Sequence, residues 1–134
     1  MNLSIDLTVT ALYASLLALV FLSLSFNVIR LRLKLKVGVG DGEERMLTKA
    51  IRMHGNFAEY TPLALILLAS YELNGANTVW LHVLGAALLL GRILHPVGLH
   101  KSIGTSIPRF AGVILTFVVL LVLAIENIRL FLMA

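Results

Sequence analysis

The sequence predicts an all-α integral membrane protein, an up-down antiparallel four-helix bundle read as one domain over residues 1–134. Three observations predict it. Hydrophobic residues make up 59% of the chain, and the mean hydropathy is +0.95. Charged residues make up only 13%, against about 25% in an ordinary soluble domain. Uncharged runs near membrane-crossing length recur along the chain, and inside lipid such runs must be helical to satisfy their own backbone. A chain of 134 residues with so few charges cannot cover a soluble surface. This excludes a soluble globular enzyme, a disordered chain and a nucleic-acid binder, even though the formal net charge is +4.

The four spans are expected at about residues 5–29, 49–71, 78–98 and 107–127. Leu7 to Val28 gives 22 residues without a charge, and no basic segment precedes it, so it reads as a retained span rather than a cleaved signal. Arg30-Leu31-Arg32-Leu33-Lys34-Leu35-Lys36 alternates basic and apolar residues. That pattern suits a helix end whose long side chains reach back to headgroups, with a strand as the alternative. Val37 to Gly42 is rich in glycine and breaks the helix. Tyr60 to Tyr71 gives only 12 uncharged residues. The second helix must therefore start near Lys49 and carry Arg52, His54, Asn56 and Glu59 at or below the membrane surface. Leu73 to Gly91 gives 19 uncharged residues and holds the third span; Phe110 to Ile125 gives 16 and, with Ile107 and Pro108, makes the fourth.

Of the 11 basic residues, 10 fall between the first and second or the third and fourth spans; only Arg129 lies on the other side. The positive-inside rule then predicts cytoplasmic basic loops, with both termini on the opposite side. There is no cysteine. Disulfides, thiolate metal sites and a cysteine nucleophile are excluded, and any thiol chemistry must use a thiol that arrives with a substrate.

The second span carries the candidate site. At about 100° per residue, Arg52, Asn56, Glu59 and Tyr60 fall on one helix face about 100° wide. An ionisable residue within a span usually faces an interior or a cavity. Glu59 has two readings: a paired acid that holds helices together, with Arg52 or Arg92 as partner, or a receptor for a ligand ammonium. Arg52 would then receive a ligand carboxylate, Asn56 offers donor and acceptor, and Tyr60 adds a hydroxyl. Pro62 leaves the Ala58 carbonyl without its helical partner and is expected to kink the helix. Arg92 and His95, three residues apart, share a face of the third span. Arg109 opens the fourth span as either a plain anchor or a group that stabilises a thiolate.

The segment Arg52-x-x-Gly55-Asn56-x-x-Glu59-Tyr60-x-Pro62, after a basic loop containing Gly40-Asp41-Gly42, resembles the MAPEG family (membrane-associated proteins in eicosanoid and glutathione metabolism). Gly91-Arg92-Ile93-Leu94-His95-Pro96-Val97-Gly98 is similar to its bacterial members. The resemblance covers nearly the whole chain. It implies a homotrimer of four-helix protomers, with glutathione bound between neighbours as co-substrate and no metal. Arg52, Asn56, Glu59, Tyr60, Arg92 and His95 would bind glutathione, Arg30 and His54 would approach from the neighbouring protomer, and Arg109 would be the catalytic group. Leukotriene-type members carry tyrosines where this chain has His95 and Leu99. The activity implied is a glutathione transferase or peroxidase acting on lipophilic electrophiles or lipid hydroperoxides. A non-catalytic lipid-binding or scaffolding member of the same fold and a small four-span exporter are the competing readings.

Overall fold

The computed structural model describes residues 6–101 and 106–134. Four helices follow one another: α1 Thr8–Leu35, α2 Arg45–Leu73, α3 Thr78–Lys101 and α4 Ile107–Met133. They pack as an up-down bundle in which α2 and α3 each touch the three other helices. Among the described residues α1 and α4 do not pack together, so they stand at opposite corners. Three of the four, α1, α3 and α4, are long and apolar enough to cross a membrane, and α2 is the polar exception. The outward surface is rich in large apolar side chains, with Leu19 63% and Phe26 65% exposed. Such a surface would drive aggregation in water and suits contact with acyl chains.

The alternating basic segment is helical, and α1 runs through it to Leu35. Lys36 then adopts left-handed φ of 57° and stops the helix. Arg32 turns back into the loop: its Nη1 donates to the carbonyls of Val37, Gly38 and Gly40 at 3.3, 3.4 and 2.8 Å. At the loop's far side the Asp41 carboxylate accepts from the Glu43 N–H at 3.1 Å and from the Thr48 hydroxyl at 2.9 Å. α2 begins at Arg45, a turn before Lys49, and runs unbroken through Pro62.

Helix association within lipid relies on close packing, because acyl tails are as apolar as the helices. The α3–α4 crossing shows this directly. A Cβ on Gly112 would lie 2.6 Å from the Gly91 carbonyl oxygen and 2.7 Å from the His95 amide nitrogen. One turn further on, Gly98 lies so close to the Arg109 backbone that only a missing side chain fits. Gly85 meets the ring of Tyr13 in the same way, and the Tyr13 hydroxyl lies 3.0 Å from His82 Nδ1. The core between these crossings is built from Leu17, Phe57, Leu68, Leu88, Val119 and Leu123.

At the end of the bundle that holds the α2–α3 turn, Glu72 reaches across to α1. Its two carboxylate oxygens accept the Val9 and Thr10 amides at 2.9 and 2.7 Å. These are among the first amides of α1, which have no partner within their own helix. A carboxylate there also matches the positive end of the helix dipole.

Candidate functional site

The opposite end of the bundle holds a cleft of about 360 Å³ between the first half of α2, the end of α3 and the start of α4. Its lining includes Arg52, Asn56, His95 and Arg109 from the sequence expectation. It adds Arg45, Thr48, Lys49 and Leu99. The α2 contributions repeat at helical spacing, so Arg45, Lys49 and Arg52 form a basic ladder from the aqueous loop into the cleft. That ladder was readable in the sequence once α2 was extended back by one turn.

Arg92 lies behind Asn56. It is 2% exposed, and its Nη1 donates to Asn56 Oδ1 at 2.8 Å and to the Asn56 carbonyl at 3.3 Å. Its guanidinium carbon sits 5.8 Å from the centre of the Tyr60 ring, and Tyr60 in turn packs on Phe117 at 5.4 Å. Among the described residues no carboxylate pairs with Arg92, and its Nε is buried without a hydrogen-bond partner. A buried charge without a counter-ion is costly. Among the described residues this one is held by an amide, a carbonyl and an aromatic face.

The single helix face read from the sequence divides in two. Asn56 and Tyr60 turn inward toward Arg92 and Phe117. Arg52 and Glu59 stand at the outer edge, their side chains 58% and 52% exposed, joined by a 3.5 Å contact. Glu59 is thus paired with Arg52, one of the two partners expected for it. His54 lies on the α1 side of α2, its ring 4.8 Å from that of Phe21. Arg30 is exposed on α1 and donates to Asn27 at 2.9 Å. Within one chain, therefore, His54 and Arg30 do not join the cleft. His95 is 4% exposed and lies in the field of Arg92, Arg109 and Arg52.

Arg109 is positioned by a local device. Ser106 caps α4 and its hydroxyl accepts the Arg109 amide at 3.4 Å. Pro108 suits this first turn because its missing N–H would have no helical partner there. Gly98 lets the end of α3 rest on that turn, so the guanidinium of Arg109 is carried to the cleft from a fixed base. Gly112 and Ser106 were not picked out in the sequence, and Gly98 only as part of the family stretch, since their role depends on which helices meet and at what level. No cluster of three His, Cys, Asp or Glu residues that could hold a metal occurs among the described residues.

The sequence pattern of the MAPEG family matches residues 10–129. Two curated relatives, each described as inner membrane protein YecN, one from Escherichia coli strain K12 and one from strain O6:H1, are 42% identical to this chain over 120 residues, covering 90% of each protein. The arrangement that accompanies this match is a cleft walled by arginines, open at one end to a basic ladder and backed by a buried guanidinium that, among the described residues, has no carboxylate partner.

Proposed function

The chain belongs to the MAPEG family, and from that premise we propose that it is a membrane-bound glutathione-dependent transferase, with lipid hydroperoxide reduction as a second outcome of the same chemistry. The observation that carries the reading is Arg92, buried beside the cleft with no acid paired to it among the described residues. Glutathione at neutral pH has two carboxylates and one ammonium. Arg52 and Arg109 match the carboxylates and the developing thiolate, Arg92 adds its positive field from behind Asn56, Glu59 matches the ammonium, and Asn56, Tyr60 and His95 supply hydrogen bonds. The cleft of about 360 Å³ falls within the roughly 300–1,000 Å³ usual for small-molecule sites.

An unperturbed thiol has a pKa near ~8.5 and is mostly protonated at neutral pH. The Arg109 guanidinium keeps its own proton and stabilises the thiolate electrostatically. Each unit of lowering corresponds to about 1.4 kcal/mol. The thiolate then attacks an electrophilic carbon: the S–C bond forms, the displaced electron pair leaves with the departing group or the adjacent unsaturation, and the thiol proton passes to water. An electrophile dissolved in the bilayer reaches the sulfur from the lipid side, so proximity adds to thiolate activation.

The more than half-exposed Arg52–Glu59 pair supports assembly as a homotrimer. A charged pair left against lipid is expensive, and a neighbouring protomer that covers it can bring Arg30 and His54 to the same ligand. α2 completes the set of four spans in this assembly, in a bacterial cytoplasmic membrane with the basic loops on the cytoplasmic face.

Calorimetry on the detergent-solubilised protein tests the reading. Arg52→Ala and Glu59→Gln are expected to weaken glutathione binding by about tenfold, the worth of one charge-assisted contact, while Lys36→Ala leaves it unchanged. Arg109→Ala should keep binding and lose the ultraviolet absorbance of the bound thiolate. Equal affinities in the first three variants remove the pocket assignment; an undiminished thiolate signal removes Arg109.

One observation favours a second reading, non-catalytic lipid binding. Leu99 lines the cleft beside His95, so that wall offers no hydroxyl. Glutathione binding without turnover across a panel of electrophiles, unchanged in Arg109→Ala, would select it.

A further inference from the structure

A second cavity, of about 400 Å³, lies at the turn end of the bundle, away from the basic cleft. It is enclosed by the end of α2, the start of α3 and the end of α4. Leu84, Val122 and Leu130 form an apolar wall, Trp80 stands in the lining 56% exposed, and Glu126 and Arg129 complete the rim. This combination of an apolar slot, an amphipathic aromatic ring and a charged rim is that of a membrane–water boundary.

The charges at the rim are only half used. The Glu126 carboxylate engages one oxygen: Oε2 accepts from Arg129 Nη2 at 2.6 Å, from Arg129 Nε at 3.1 Å and from the Tyr71 hydroxyl at 3.3 Å. Among the described residues, Oε1 accepts no hydrogen bond. Among the described residues, Arg129 Nη1 reaches only the Met133 sulfur, at 3.3 Å, and a thioether is a weak acceptor. One anionic oxygen and one poorly satisfied guanidinium N–H edge therefore stand side by side over an apolar slot. Arg129 is the sole basic residue at this end among the described residues.

We propose that this cavity binds a phospholipid with a primary-ammonium headgroup, of the phosphatidylethanolamine class. The ammonium donates to Glu126 Oε1, the phosphate accepts from Arg129 Nη1 in place of the Met133 sulfur, and an acyl chain lies against Leu84 and Val122. The rim discriminates by charge and by hydrogen bonding. An anionic glycerol headgroup brings no cation to Glu126, and a quaternary ammonium has no N–H to donate. The residues involved are separate from those of the glutathione cleft, so the two readings stand or fall independently.

The test uses delipidated full-length protein in detergent. It is offered equimolar phosphatidylethanolamine, phosphatidylglycerol and phosphatidylcholine with identical oleoyl chains, and retained lipid is read by native mass spectrometry. The ethanolamine lipid is expected to be retained about threefold over the other two, in line with a partly exposed charge pair. Glu126→Gln should abolish that preference. Ala76→Phe, which fills the cavity from its lining without removing a polar group, should do the same and serves as the deciding variant if Glu126→Gln fails to fold by circular dichroism. Equal retention of the three lipids by the unaltered protein, or a preference that survives in a folded variant, overturns the proposal. Displacement of the lipid by an equal concentration of soluble phosphoethanolamine overturns the lipid assignment in favour of the free headgroup.

Discussion

Asn56 holds Arg92 in place, and replacing it with leucine tests what a buried guanidinium costs when its partner is lost. The substitution keeps the number and branching of the side-chain heavy atoms and removes the 2.8 Å bond from Arg92 Nη1 to Asn56 Oδ1. It leaves the 3.3 Å bond to the Asn56 backbone carbonyl. A hydrogen bond to a charged group contributes about 1.5–3 kcal/mol. The surviving carbonyl places this case at the lower end, about 1.5–2 kcal/mol. For a chain of this length that is a fall in melting temperature of about 6 °C. The assay is thermal unfolding in detergent, followed by circular dichroism. The double variant Asn56→Leu/Arg92→Leu supplies the control: when both partners become apolar, no charge is left stranded, and at least half of the loss should return. A single variant as stable as the parent, or a double variant no better than the single, would refute the claim that Arg92 depends on Asn56.

Three further outcomes follow from the packing and the caps. Gly112→Ala puts a methyl group into the Gly91 carbonyl and the His95 amide; it should cost about 1–3 kcal/mol by overpacking, whereas Gly38→Ala, which meets open space, should leave the melting temperature unchanged. Glu72→Gln should weaken the start of α1 by about 1 kcal/mol, typical of a lost helix cap, and hydrogen exchange at Val9 and Thr10 should speed up; unchanged exchange there would mean that the carboxylate is not the cap. The Glu43 amide and the Thr48 hydroxyl hold the Asp41 carboxyl below the usual carboxylate range. Because the folded value is below the unfolded one, this contribution to stability is present above the unfolded value and is lost as pH falls through the folded one. Thr48→Val should raise the Asp41 pKa in a carbon-detected NMR titration, and an unmoved titration would rule out the contact.

The helical face of α2 was legible from the sequence because Arg52, Asn56, Glu59 and Tyr60 obey one simple angular repeat. Its division was not legible. Whether Asn56 turns inward and Glu59 outward depends on how α2 is rotated against α3, and that rotation is set by contacts made far along the chain, such as Asn56 with Arg92. The same reason hid Glu72, which serves the first amides of α1. It also hid Gly98 and Gly112, whose value lies in what touches them. The basic segment after the first uncharged run was readable as helical because its long side chains can reach polar surroundings. Charge counting marked the uncharged runs but not the helix ends: α1 continues to Leu35 and α4 to Met133, well past the last uncharged residues of their runs.

The glycine seam between α3 and α4 has a mechanical consequence. Arg92, His95 and Arg109 ride on two rods soldered together at Gly91–Gly112 and Gly98–Arg109, so they travel as one jaw. The other jaw is α2, which carries Arg45, Lys49, Arg52 and Asn56 and has its own weak point where Pro62 omits an amide. Any change in the width of the mouth must therefore displace α2 against that pair, and it works against the bond from Arg92 to Asn56 that ties the two jaws together.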